Sequence, residues 1–345
     1  MPRISFRKVD VFAFIDSDTA EAKQFTTYMV YWECLARAIL DTYGGTWTGG
    51  YHNNIVNELR SRKKFRSLTS SQFTGDHDLL RKFLLNSWNS ELGLYLVDDD
   101  DPRLMAQNQW NNVYAYYATG RAALAWLLVR DGSAPDRHRP LLRAMSAQVI
   151  GQRLFPTPWD LACTSMAPGF CGFVTPPNDV SNLAQSADCF DMAAKVLKTT
   201  RRKRIEERKV EELTKLKRKR APSGLLAKLD ADTEATTVFD FMWRSRTRAN
   251  YGDPSMFYIG TLGSDRSKQY VRSVRTFTDA TMLLFEALVA QKARNTLVDA
   301  AVHYISRDRA KITDLVLGRR LRALGLLTEP LQGDDDEDDD DDWRF

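Results

Sequence analysis

The chain has 345 residues, 43% of them hydrophobic, enough to bury one large core or two ordinary ones. Its apolar runs are short, since Ala122–Val129 is bounded by Arg121 and Arg130, and no secretory signal pattern is visible; a membrane role is disfavoured and a soluble, cytoplasmic chain is expected. The net charge of +4 conceals an asymmetry, because Asp334–Asp342 holds nine acids and the chain without Asp334–Phe345 carries +12, a balance that suits a polyanionic partner.

Cys34, Cys163, Cys171 and Cys189 have neither zinc spacing nor the density of a disulfide framework, so reduced, mostly buried thiols are expected. The four histidines form no ligand cluster, and neither a metal nor another cofactor is expected.

Residues 1–15 alternate loosely, as in a short strand or extended arm. Thereafter the periodicity is helical. Asp18 or Thr19 caps a helix in which Phe25, Tyr28, Met29, Trp32, Leu35 and Ile39 recur at helical spacing, and Gly44-Gly45 ends it. His52–Arg66 reads as a helix with a basic end, and Asp76–Trp88 as another. Asp98–Asp101 ahead of Pro102 favours the start of the next helix and reads as a solvated cluster rather than a metal site.

Trp110, Val113, Tyr114, Tyr117, Leu124 and Leu128 place one face of that helix against the core, and Arg121 falls on the same face. An unpaired buried guanidinium is costly, so Arg121 is either paired or lines a polar cleft. The helix stops at Asp131-Gly132 and a second begins near Pro135-Asp136, which puts Arg137, His138 and Arg139 at the tip of a helical hairpin. Arg153–Pro177, rich in proline, glycine and aromatics, reads as an irregular segment.

Asp179–Leu197 is expected to be helical and to run into the most charged stretch of the chain. Lys195–Arg220 carries thirteen Lys or Arg against four Glu, is made of good helix formers, and meets a terminator at Pro222–Gly224. Its apolar edge of Ile205, Val210, Leu213 and Leu216 is thin. Such a helix suits phosphate contact through Arg201, Arg202, Lys203, Arg204, Arg208, Lys217, Arg218, Lys219 and Arg220; the plain alternative is an exposed or disordered insertion. Asp232–Arg248, Ser267–Lys292 and Thr296–Leu326 supply the remaining helices, and with no hairpin signals the fold is mainly α.

Two of these stretches resemble one family. NNVYAYYATGRAALAWLLVRDGSAPDRHRPLL is similar to the first core hairpin of HEPN domains, in which an aromatic pair, an apolar spacer and an Arg-Ala lead into a turn and a His-containing helix start. Arg246-Thr-Arg-Ala-Asn-Tyr251 resembles the family's Arg-x-x-Ala-Asp-Tyr element, with Asn250 in place of the acid. The resemblance implies a HEPN-like helical bundle over 101–330, interrupted by an insertion at 151–232 that holds the basic helix 195–220, preceded by a helical region at 1–100 and followed by a disordered acidic tail at 331–345. It also implies a toxin-antitoxin or antiviral defence setting and a possible homodimer.

Many HEPN domains are metal-independent ribonucleases with a His four to six residues after an Arg, whereas Asn250 or Tyr251 stands at that distance from Arg246. The first implied reading is therefore a nucleic-acid-binding or accessory subunit. The second is a divergent endoribonuclease in which Arg246 and Arg121 stabilise charge while His138 or Tyr251 moves the proton. Arg121 is then expected to face Arg246–Tyr251 and His138, with Asp240, Asp253 or a bound phosphate as counter-ion; the plainer role for His138 is structural. The string GDDDEDDDDDWRF resembles the acidic, aromatic-ended tails of single-stranded-DNA-binding proteins, which implies that Asp339, Asp340, Asp341, Asp342, Trp343 and Phe345 engage a protein partner. A third reading on that basis is a non-enzymatic assembly scaffold.

Overall fold

The computed structural model describes residues 20–327 apart from 48, 71, 100, 102, 153, 168–170, 174–186, 253, 255, 260–263 and 308–313. The expected arm at 1–15 and the acidic tail, including Asp339–Asp342, Trp343 and Phe345, lie outside the described residues.

The fold is mainly α. Its helices are α1 (Ala20–Tyr43), α2 (His52–Ser61), α3 (Lys63–Arg66), α4 (His77–Leu92), α5 (Leu104–Asp131), α6 (His138–Ala147), α7 (Ala187–Lys215), α8 (Leu225–Ala231), α9 (Val238–Thr247), α10 (Met256–Ile259), α11 (Ser264–Arg307) and α12 (Arg319–Ala323). Local chemistry sets many of the ends. Asp76 accepts from the backbone N–H of Leu79 and starts α4, while Gly132, left-handed at φ 75°, closes α5 with its N–H on the Leu128 carbonyl. Thr237 and Asp240 form a reciprocal capping box at the start of α9. The helix expected over His52–Arg66 is two, because Arg62 turns to extended geometry between α2 and α3. α11 runs through the expected boundary near residue 293 with a kink at Ala293.

At the centre, α5 and α11 pack against each other and against α4, and α1 lies on α11 and α7. One continuous apolar cluster runs from Phe25 to Leu324, so the helical region before residue 100 shares its core with the rest. The segment read as irregular also enters it: Phe155 and Trp159 are fully buried, and the Trp159 indole donates to Thr281. A small antiparallel sheet, β2-β1-β3, joins Leu161–Cys163 to Cys171–Phe173 and Thr236–Thr237. Cys163 and Cys171 are register partners in it and form a disulfide, which corrects the expectation of reduced thiols at these positions; Cys34 is buried and free. None of the described helices is long and apolar enough to cross a membrane.

The basic helix ends earlier than its sequence suggests. α7 stops at Lys215, and a Schellman closure follows, with Lys217 N–H on the Thr214 carbonyl and Arg218 N–H on the Leu213 carbonyl. Lys217 takes the left-handed position at φ 50°, which a glycine would normally fill.

Beneath the apolar core lies an ionic centre. Arg320, fully buried, donates to Glu91, Glu286 and Asp279 at 2.6–2.9 Å, and Asp279 also receives Tyr51 and lies 2.6 Å from His52 Nε2. It ties α2, α4, α11 and α12 together.

Candidate functional site

The cleft beside the α5–α6 hairpin is built by an uneven helix. α5 is buried almost all round from Ala115 to Val129, yet Trp110 is 49% exposed and Tyr117 and Arg121 are half-buried. The stripe expected to face the core is thus split. Val113, Leu124 and Leu128 are buried, whereas Trp110, Tyr117 and Arg121, at spacings of seven and four, look outward on one side of the helix. Arg121 lines a shallow cleft together with Tyr116, Tyr117, Asp136 and His138, and Asp136 there lies 3.9 Å from Arg137.

α9 brings the second half. Trp32 of α1 and Ser245 of α9 both donate to the side-chain oxygen of Asn112, at 3.1 Å for the tryptophan, in a buried node joining three helices. With Ser245 pinned there, the adjacent Arg246 faces α5, where it donates to the Tyr117 hydroxyl at 2.7 Å and lies over the Tyr117 ring. The chain then widens into a π-helical turn, Arg248–Gly252, held to α5 by the Gln109 amide on the Ala249 carbonyl at 3.0 Å. That turn swings Tyr251 back over the Arg246 guanidinium, at 5.1 Å, while leaving the ring 73% exposed.

Arg246 is only 7% exposed, its Nε has no hydrogen-bond partner, and among the described residues no carboxylate pairs with it. A buried guanidinium without an acid is costly unless an anion or ring faces supply the missing stabilisation. Arg121 likewise makes no ion pair among the described residues. Asp240, expected as its counter-ion, is occupied instead by Arg204 at 2.8 Å and by its cap on Thr237, and Asp253 lies outside the described residues.

His138 opens α6 with Nδ1 2.7 Å from the Tyr116 hydroxyl. Burial first, then the positive charges of Arg246 and Arg121, hold its imidazolium below the usual histidine range. Tyr117 lies between His138 and Arg246, its ring 6.4 Å from the imidazole and its hydroxyl on Arg246. Arg121 and His138 thus line one cleft, while Arg246, under the Tyr251 ring, reaches it through Tyr117.

The basic helix behaves differently. Arg201 is fully buried: it pairs with Asp230 at 2.7 Å and donates to the carbonyls of Cys163, Asp230, Thr233 and Glu234. It cannot reach a phosphate in solvent, and its expected role is corrected to that of a clamp between α7, β1 and the chain around α8. Arg204 is committed to Asp240 and Glu234, and Arg208 to the Asp232 carbonyl and Thr233. Lys203 is half-buried and 3.9 Å from Glu207. Arg202, Lys217, Arg218, Lys219 and Arg220 remain exposed. Arg139, beside His138, donates to Glu211 at 3.1 Å, so the exposed basic end of α7 starts next to the hairpin tip.

The ionic centre around Arg320 escaped the sequence reading. Its one signal was Glu286, a lone acid within the apolar run Met282–Val289. No family model, curated protein or solved structure matches the chain.

Proposed function

We propose that this chain is a nucleic-acid-binding protein that seats a backbone phosphate between Arg121 and Arg246. The observation that carries this reading is a pair of guanidiniums that no carboxylate pairs with among the described residues, Arg121 in the cleft and the buried Arg246 on Tyr117, which lines the same cleft. A phosphate oxygen is the anion such groups hold best, since a guanidinium offers paired N–H donors. Tyr117 orients Arg246, and the exposed Arg202 and Lys217–Arg220 extend the positive surface beyond the cleft. The HEPN resemblance extends the reading to an accessory subunit of a bacterial defence or toxin-related system in the cytoplasm, with the acidic tail as the segment that engages a protein partner.

Binding of a short oligonucleotide followed by anisotropy tests the proposal. Arg121→Ala and Arg246→Ala are each expected to weaken binding severalfold and to lower the salt slope by about 0.7–0.9. Affinity and slope unaltered in both variants would sink it.

A second reading, metal-independent RNA cleavage, is favoured by the environment of His138. In the tautomer whose Nδ1–H donates to the Tyr116 oxygen, Nε2 keeps its lone pair, and the lowered pKa favours the neutral imidazole. Nε2 then takes the proton of a 2′-hydroxyl, the 2′-oxygen attacks phosphorus, and the 5′-oxygen leaves and is protonated by water, giving a 2′,3′-cyclic phosphate. Arg121 and Arg246 stabilise the charge on the phosphorane. Tyr251, largely in solvent, fits a stacking role better than proton transfer. Cleavage in EDTA that disappears in His138→Ala and Arg246→Ala is the expected result; intact RNA after prolonged incubation with the full chain overturns this second reading alone.

A further inference from the structure

Beyond the cleft, the same side of α5 carries an aromatic surface that phosphate binding does not explain. Trp110 is 49% exposed and Tyr251 is 73% exposed, uncommon values for such large rings. Both lie on one structure: Gln109, the neighbour of Trp110, donates to the Ala249 carbonyl in the π-helical turn that presents Tyr251. Trp110 and Tyr117 are seven residues apart on an unbroken helix, about 10 Å along its axis, and Arg121 lies about 6 Å further. A line therefore runs from an exposed indole, past an exposed phenol stacked on Arg246, to Arg121 and His138.

We infer that this line is a track for single-stranded RNA, in which bases stack on Trp110 and Tyr251 while the adjoining phosphate lies between Arg246 and Arg121. The inference rests on the phosphate-binding reading of the cleft and names the form of nucleic acid that the cleft takes. Exposed ring faces interleaved with cations are what unstacked bases require, because every base has a π face and each link carries one negative charge. A duplex keeps its base faces covered and gains nothing from the indole. The choice of RNA over DNA rests in addition on the second reading, in which the His138 imidazole beside Arg121 acts on a 2′-hydroxyl that only RNA carries.

The test compares the full chain with its Trp110→Ala, Trp110→Phe and Arg246→Ala variants in anisotropy titrations against a fluorescent twelve-residue RNA, the same sequence as DNA, and the RNA as a duplex, over a range of salt. Trp110→Ala is expected to weaken single-stranded RNA binding about fivefold or more, to leave the duplex unaffected, and to keep the salt slope, since no charge is removed. Trp110→Phe restores much of the loss. Arg246→Ala, by contrast, lowers the slope.

Three outcomes overturn the inference. One is equal weakening of single strand and duplex by Trp110→Ala, another is no effect of Trp110→Ala while Arg246→Ala still lowers the slope, and the third is equal affinity for the RNA and DNA strands. Loss of the Arg246 effect itself counts against the cleft reading, and the two failures are thereby distinguished.

Discussion

Arg201 and Arg202 are neighbours with opposite fates. Arg201 threads its guanidinium into four carbonyls and Asp230 with no exposure, while Arg202 points to solvent. Removal of Arg201 leaves those acceptors buried without donors. Arg201→Ala should therefore lower the unfolding free energy by about 3 kcal/mol, seen as a lower urea midpoint, whereas Arg202→Ala should shift it by no more than about 0.5 kcal/mol.

His138 gives a pH signature at the same scale. Burial and the two arginines depress its pKa in the free protein, and a bound phosphate offsets them, so binding takes up a proton. Affinity for RNA should strengthen as pH falls from about 8 to about 6, and His138→Gln should flatten that dependence in the same anisotropy titrations. The sign for stability is the reverse. A histidine depressed in the folded state withdraws stability as pH falls below about 6.5, its unfolded value.

At the scale of elements, the end of α7 shows how local geometry overrides composition. Good helix formers continue to Arg220, yet the closure around Lys217 ends the helix at Lys215, before any proline. A left-handed lysine is strained relative to glycine. Lys217→Gly should stabilise the chain by up to about 1 kcal/mol, measured by thermal melting; a lower melting temperature would show that the lysine side chain contributes more than the strain removes. The π-helical turn after α9 is the second such case, because its widened path is what carries Tyr251 back over Arg246.

For the whole molecule, the Arg320 centre fixes how the last helix closes on the bundle. Three buried carboxylates share one guanidinium, with His52 and Tyr51 on Asp279. Arg320→Met should cost about 3–5 kcal/mol, because it strands those charges rather than replacing them. The carboxylates also split in pH behaviour. Burial, helped by Asp279 and Glu286, raises Glu91 to about 7 against the pull of Arg320, so its contribution is full below about 4.5 and is lost as pH rises through 7. Burial also pushes Asp279 upward, but the His52 hydrogen bond and the charges of His52 and Arg320 hold it below its usual range, and its contribution is lost at acid pH. Glu91→Gln should flatten the decline in stability between about pH 5 and 7.

Helical class, the helix start near Asp76, the stop at Gly132 and the amphipathic course of α1 were legible in the sequence because they depend on residues close along the chain. So was the odd position of Arg121 on an apolar stripe. Which side of that stripe meets solvent was not legible, since Trp110 and Tyr117 have the same hydrophobic signature as Val113. Only the arrival of α9, pinned through Asn112 and Ser245, brings Arg246 onto Tyr117, beside the cleft that Arg121 and His138 line. The same limit governs charge: the sequence determined how many cations α7 carries, but tertiary packing decided which of them are neutralised. A buried counter-charge comes from another element, Asp230 for Arg201 and Asp240 for Arg204, and no local spacing encodes that meeting.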